Sequence, residues 1–157
     1  GMLRHAYYIS LFTDYKPLKD LLALPLVDAV DGLKALARFT SEIHQKGIFH
    51  NDYSINNILY SNIGNRYDFS LIDNNRMCIS DYSFRKGVRT LKRLDIPVEM
   101  MGIVAAEYAR TSGKNDLEML NAMVIIRLLH QLRNAFKKWV KTPLHYLTKR
   151  KYNFPVE

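Results

Sequence analysis

A chain of 157 residues that is 48% hydrophobic holds enough apolar side chains for one substantial core, which excludes a disordered or fibrous protein. The one cysteine, Cys78, excludes an internal disulfide and a cysteine-built zinc site, and it is expected to be a buried structural thiol in a reducing compartment. The net charge of +8 is uneven: no Asp or Glu occurs from Met119 to Val156, while Arg127, Arg133, Lys137, Lys138, Lys141, Lys149, Arg150 and Lys151 fall there and equal the whole excess. Such a face either attracts phosphate-rich partners (nucleic acid, anionic lipid or a phosphorylated glycan) or is a solvated helix surface.

Gly1, ahead of Met2, reads as a residue left by tag removal and carries no functional argument. The start shows no signal-peptide pattern, and no apolar run reaches the roughly 18 residues that a membrane span requires, so a cytoplasmic protein is expected. The absence of repeats, low-complexity tracts and flexible linkers points to one domain over residues 2–157.

In chain order, Ala6-Tyr7-Tyr8-Ile9-Ser10-Leu11-Phe12 is aromatic and β-branched without a helical period, which predicts a short buried strand. Pro17 can open a short helix through Leu18, Leu21 and Leu22. A longer helix is expected over 28–46, with Leu33, Ala35, Leu36, Ala37 and Ile43 as its apolar stripe and Gly47 as its stop. Two β-like pieces, 58–61 and 67–72, flank Asn62-Ile63-Gly64-Asn65, a hairpin turn composition. Asp95 is expected to cap a helix that has Pro97 in its first turn and ends before Gly113. Asn115-Asp116-Leu117-Glu118 resembles a capping box opening a helix to Lys141, with Pro143 beyond its end. On that helix Ile125, Leu128, Leu129, Leu132, Phe136 and Trp139 recur at helical spacing and are expected to face the core, with a membrane-surface helix as the alternative.

The segment that carries chemistry is Gly47-Ile48-Phe49-His50-Asn51-Asp52-Tyr53-Ser54-Ile55-Asn56-Asn57-Ile58-Leu59, between a helix stop and a predicted strand. It contains H-x-D-x-x-x-x-N, the spacing of a kinase catalytic loop, in which the Asp serves the acceptor hydroxyl and the Asn holds magnesium. Here these are Asp52 and Asn57. After the predicted hairpin, Phe69-Ser70-Leu71-Ile72-Asp73 is an apolar strand ending on an acid, the position of a second magnesium ligand, so Asp73 is the third candidate. His44 and His50 flank a helix end beside Asp52, but His50 is better explained as support for the loop than as a metal ligand.

Together, the run from His50 to Leu59 and Leu71-Ile72-Asp73-Asn74-Asn75-Arg76 resemble the lipopolysaccharide kinase family, which phosphorylates Kdo or heptose sugars of the lipopolysaccharide core. The softer features of that likeness are I-D-x-x-R in place of D-F-G and the Leu91-Lys92-Arg93-Leu94 run. The resemblance implies a mainly α (α+β) fold, the C-terminal lobe of a protein-kinase-like enzyme. Residues 2–12 would be a hinge strand remnant, 13–46 helices, 47–76 the catalytic loop and metal-binding hairpin, and 77–157 a helical region. It further implies ATP and magnesium as cofactors, Ser10 and Leu11 in a hinge bordering adenine, and Leu59 as the adenine floor. The implied partner is a lipopolysaccharide core sugar or other anionic glycolipid, with peripheral contact to the inner membrane of a Gram-negative bacterium and no nucleic acid.

Only six residues precede Tyr7, room for neither a glycine-rich loop nor the Lys and Glu that grip ATP, so this chain by itself is expected to be a lobe with a weak nucleotide site. Asn74-Asn75 replaces the apolar-then-flexible pair of protein kinases, and Ser54 stands where those often carry a Lys. Two other readings compete. One is a non-catalytic, kinase-derived binding module that docks its basic helix on anionic partners, and the other is an aminoglycoside- or choline-type small-molecule kinase.

Overall fold

The computed structural model describes residues 12–64 and 66–149, which are mainly helical with two small antiparallel sheets. Of the expected buried strand Ala6 to Phe12, residues 6–11, with Ser10 and Leu11 among them, lie outside the described residues, and Phe12 belongs to no strand and is 91% exposed.

The two-residue strand β1 (Lys16–Pro17) leads directly into helix α1 (Leu18–Leu22), and Pro17 in an extended conformation is its cap residue. Helix α2 (Leu26–Gln45) begins two residues before the expected start. It buries Ala29, Leu33, Leu36, Ala37, Thr40, Ser41 and His44, a stripe at three- and four-residue spacing that turns one face to the core. Each fully buried leucine of that stripe contributes about 1.5–3 kcal/mol through burial. Gly32 lies on the same face, where a Cβ would come within 2.7 Å of Leu21 and 2.9 Å of Tyr67, so its bareness lets α1 and the hairpin close onto α2.

Gly47 ends α2 at φ 77°, its N–H bonded to the His44 carbonyl at 2.9 Å. A side chain there would also collide with the Ser80 carbonyl, so glycine meets both a backbone and a space requirement.

Three strands follow: β2 (Ile48–His50), β3 (Ile58–Ile63) and β4 (Arg66–Leu71). Strands β3 and β4 form the predicted hairpin, paired from Ile58 opposite Leu71 to Ile63 opposite Arg66. The ladder therefore reaches further into the turn than expected and stops one residue short of Ile72. Strand β1 adds to the free edge of β3, with Pro17 opposite Leu59. After a 3-10 turn (Asn74–Arg76), β5 (Met77–Ile79) returns antiparallel to β2 and sets Cys78 opposite Phe49. Cys78 is half-buried there, less enclosed than expected.

Helix α3 (Phe84–Leu91) is followed by α4 (Val98–Ser112), which packs chiefly on α2 and buries Met100, Met101, Val104, Ala105, Tyr108 and Ala109. Glu107 ties the two helices by accepting from Arg38 at 2.7 Å and from Arg110 at 2.7 and 3.0 Å. Those guanidiniums, Arg110 first, hold its carboxyl down at about 2.

One expectation fails at α4. Asp95 does not cap α4: Pro97 occupies the cap position in an extended conformation, and the residue before a proline is itself kept from helical geometry, so the helix starts at Val98. Asp95 instead lies 3.8 Å from Arg127.

Helix α5 (Asp116–Lys149) is capped as expected, Asn115 Oδ1 accepting from Leu117 N–H at 2.9 Å and Glu118 N–H at 3.2 Å. It continues past both Lys141 and Pro143, whose missing N–H removes only one intrahelical bond. The apolar stripe is the larger correction. Met119 and Met123 turn into the core, whereas Ile125, Leu128, Leu129, Leu132, Phe136 and Trp139 are all more than half exposed, Trp139 at 73%. A helix of 34 residues, roughly 50 Å long, outruns the elements it packs on, and a helix apolar on two sides can bury only one of them against the lobe. No described helix is long and apolar enough to cross a membrane.

Candidate active site

The loop between β2 and β3 carries Asp52 and Asn57, and backbone bonds give it its shape. Ser54 N–H reaches the Asp52 carbonyl at 2.8 Å, and Asn57 N–H reaches the Ser54 carbonyl at 3.0 Å. The Asn57 side chain adds a cross-brace, Nδ2 donating to the Asp52 carbonyl at 2.9 Å. That bond fixes the amide's orientation, because the nitrogen is engaged by the Asp52 carbonyl and Oδ1 remains as an acceptor.

His50 joins this loop to the hairpin. Its Nδ1 accepts the Asp52 N–H at 3.1 Å, so the proton of the neutral ring sits on Nε2, which donates to the Ile72 carbonyl at 3.0 Å. Ile72 N–H in turn donates to the Asn57 carbonyl at 3.0 Å. The residue immediately before Asp73 is thus bonded on one side to the His50 ring and on the other to Asn57. The supporting role expected of His50 is visible in these bonds, and among the described residues no three His, Cys, Asp or Glu side chains form a metal cage.

Asp73 itself adopts φ 62° and ψ 49°, and it is the one non-glycine residue with positive φ among those described. This left-handed conformation costs an L-residue roughly 1–2 kcal/mol, and Asp or Asn tolerates it best. The Asp73 carboxylate is exposed, Asp52 and Asn57 are half-buried, and Leu59 is half-buried on β3 between Pro17 and Ser70. Arg76 is exposed, and its carbonyl takes the Asn51 N–H at 2.8 Å.

Beneath the loop lies a layer that the sequence did not reveal. Tyr53, next to Asp52, is fully buried, and its hydroxyl lies 2.6 Å from Thr40 Oγ1. Thr40 already donates to the Leu36 carbonyl at 2.6 Å, so Tyr53 is the donor and the loop is pinned to α2. Beside them His44 stacks on Phe49 at 4.8 Å and meets the Tyr108 hydroxyl through Nδ1 at 2.9 Å. Burial pushes the His44 imidazole down to about 4, so it is neutral. Thr40 and His44 lie buried on the core face of α2, which the apolar stripe read from the sequence did not include.

On its outer side Asp52 borders a cleft of about 430 Å³ that also takes in Lys92, Arg93, Arg127 and Arg133. Lys92 and Arg93 belong to the Leu91-Lys92-Arg93-Leu94 run, whose two leucines are fully buried and thereby turn the two cations outward.

No protein-family model matches this sequence, and no curated protein does. Among solved structures, WaaP in complex with acyl carrier protein has a similar fold, with a TM-score of 0.52 and 22% identity, covering 69% of this chain and 48% of that one. At this identity the likeness is one of fold, and this chain spans about half the length of that neighbour.

Proposed function

We propose that this chain is the catalytic lobe of an ATP-dependent phosphotransferase that phosphorylates a sugar hydroxyl of a lipopolysaccharide core, as Kdo and heptose kinases do. The observation that carries this reading is the bonded set in which His50 and Asn57 tie the loop bearing Asp52 to the strand end bearing Asp73. The fold shared with WaaP supports a kinase-like lobe, and the sugar acceptor rests on the resemblance of segments 50–59 and 71–76. In this reading Asp52 orients the acceptor hydroxyl and takes its proton. Asn57 Oδ1 and the Asp73 carboxylate are the magnesium ligands. Leu59 lies under adenine, and the resemblance assigns the adenine edge to Ser10 and Leu11, which lie outside the described residues.

Two oxygen ligands, one of them a carboxylate, fit magnesium, which keeps several waters and completes its shell with substrate phosphates. Bound there, the ion would neutralise charge on the transferring phosphoryl group.

The test is transfer of labelled γ-phosphate from ATP to deacylated lipopolysaccharide core by the full-length protein. Asp73→Asn is expected to cut transfer by roughly a hundredfold or more at unchanged melting temperature, because Asn keeps the left-handed backbone and loses only the charge. Transfer that survives the substitution would overturn the ligand role. A wild-type protein that phosphorylates aminoglycosides or choline instead, or transfers nothing, would favour one of the two competing readings.

An acceptor embedded in lipid would set the protein at the cytoplasmic face of a Gram-negative inner membrane, with nucleic acid not expected as a partner. The α5 surface supports this, since its exposed apolar side chains run among Arg133, Lys137 and Lys138 with no acid beyond Glu118 in the helix. Binding to anionic vesicles is expected at low salt and should fall steeply as the Debye length shrinks to about 8–10 Å. Reversing Lys137, Lys138 and Lys141 to Glu should weaken it further. Co-sedimentation that shows no binding at low salt would remove the membrane contact.

A further inference from the structure

The cleft beside Asp52 has a charge that the fold does not use. Lys92, Arg93, Arg127 and Arg133 line it against two carboxylates, Asp52 and Asp95. Arg127 is held in place, donating to the Ile96 carbonyl at 2.6 Å with Asp95 at 3.8 Å, and its side chain is only 25% exposed. The side chains of Lys92, Arg93 and Arg133 have no hydrogen-bond or ion-pair partner among the described residues. Cations gathered this way repel one another and cost stability, unless an anion sits between them.

The basic surface also continues. A neighbouring cleft of about 290 Å³ shares Arg93, adds Lys86 and Arg89, and reaches Asn51 of the loop. Helix α3 thus presents Arg85, Lys86 and Arg89, followed by Lys92 and Arg93, with no acid along its length. None of Asn57, Leu59 or Asp73 borders either cleft, so this space is distinct from that of the proposed magnesium and adenine residues.

We infer that the cleft lined by Asp52, Lys92, Arg93, Arg127 and Arg133 is the acceptor site, and that it selects an acceptor carrying a phosphate or carboxylate close to the reacting hydroxyl. The inference rests on the phosphotransferase reading above. The guanidiniums of Arg93, Arg127 and Arg133 grip the anionic group through paired N–H donors, which match the planar carboxylate or the phosphate edge. That grip holds the hydroxyl against Asp52. The hydroxyl proton passes to the Asp52 carboxylate as the acceptor oxygen bonds to the γ-phosphorus of ATP, and the bond from that phosphorus to the bridging oxygen breaks to release ADP. A neutral acceptor of the same shape would lose the clamp.

The test is calorimetric titration of the full chain with glucose 6-phosphate, glucuronate and glucose at low salt. Both anionic sugars should bind and glucose should not, with the tighter of the two naming the preferred anion. The double variant Arg93→Ala/Arg133→Ala should weaken binding by about tenfold or more, as expected for lost charged hydrogen bonds. Asp52→Asn should tighten it by up to about fivefold, because a like charge leaves the cleft. Lys19→Ala/Lys34→Ala, on α1 and α2, should change nothing. Glucose binding equal to the anions, no anion binding, or binding indifferent to Arg93 and Arg133 would overturn the inference. So would an oligothymidine binding through the same arginines far more tightly than either sugar, which would make the cleft a nucleic-acid surface. Failure of the phosphotransferase reading would look different: anion binding would follow these variants as expected while no phosphate is transferred, and the acceptor role would fall with it.

Discussion

Asp52→Asn is expected to lower phosphoryl transfer about a hundred- to ten-thousandfold in the full-length protein, with little change in melting temperature. The structure separates the two halves of that expectation. What Asp52 contributes to the loop's shape comes from its backbone, through the N–H bonded to His50 and the carbonyl that receives the Ser54 N–H and the Asn57 side chain. Its carboxylate makes no hydrogen bond among the described residues and faces the basic cleft. An isosteric amide therefore preserves the loop and removes the carboxylate that the proposed function assigns to the acceptor. Loss in kcat with KM little changed or lowered is the expected split, because the proton is taken only as the transition state forms and the anion clamp remains. Unchanged turnover would refute the role.

Acidification should destabilise the lobe through His44. The group is neutral and buried in the fold, with its pKa at about 4 against 6.5 ordinarily, because burial opposes its charge. The side chains facing it, Phe49, Tyr53 and Tyr108, are uncharged aromatics, and a Cβ on Gly87 would clash with the Tyr108 hydroxyl and come within 3.3 Å of His44 Nδ1, so no counter-charge offsets protonation. Between pH 6.5 and 4 the unfolded chain binds the proton that the folded one refuses, so stability falls as pH falls across that window. The full loss is about 3 kcal/mol below pH 4. Glu107 adds nothing to that slope until lower pH. Its carboxyl is depressed to about 2, so the stability it contributes is complete above about 4.5 and is lost as pH falls toward 2. Urea denaturation at pH 7 and pH 4.5 should show the drop in the wild type and a much smaller one in His44→Gln, which can still hydrogen-bond the Tyr108 hydroxyl but does not titrate. Equal drops in both proteins would assign the acid sensitivity elsewhere. Because Phe49 and Tyr53 rest on His44, the same window should also loosen the loop that carries Asp52.

The amino-acid sequence by itself determined the features that depend on residues a few positions apart. The α2 stripe follows from its period, and Gly47 and Asn115 mark their helix ends because each serves the adjacent turn. The β3–β4 hairpin and the loop holding Asp52 and Asn57 likewise rest on local spacing. Asp73 at the end of an apolar strand was legible for the same reason, although its left-handed backbone was not. Tertiary structure alone decided the rest. The β2–β5 pair joins segments of three residues, too short for an alternating pattern to show, and bonds from Ser80 N–H to the Gly47 carbonyl and from Asn51 N–H to the Arg76 carbonyl flank it. The stripe on α5 has the period of a core face, yet it is exposed because periodicity reports that a face is apolar and never whether anything stands opposite it. Asp95 could cap a helix by its position, and it instead sits near an arginine far along the chain. The basic cleft beside Asp52 was illegible on the same ground, since Lys92 and Arg93 follow the end of α3 and Arg127 and Arg133 come from α5, and only folding brings these cations together beside Asp52 and Asp95.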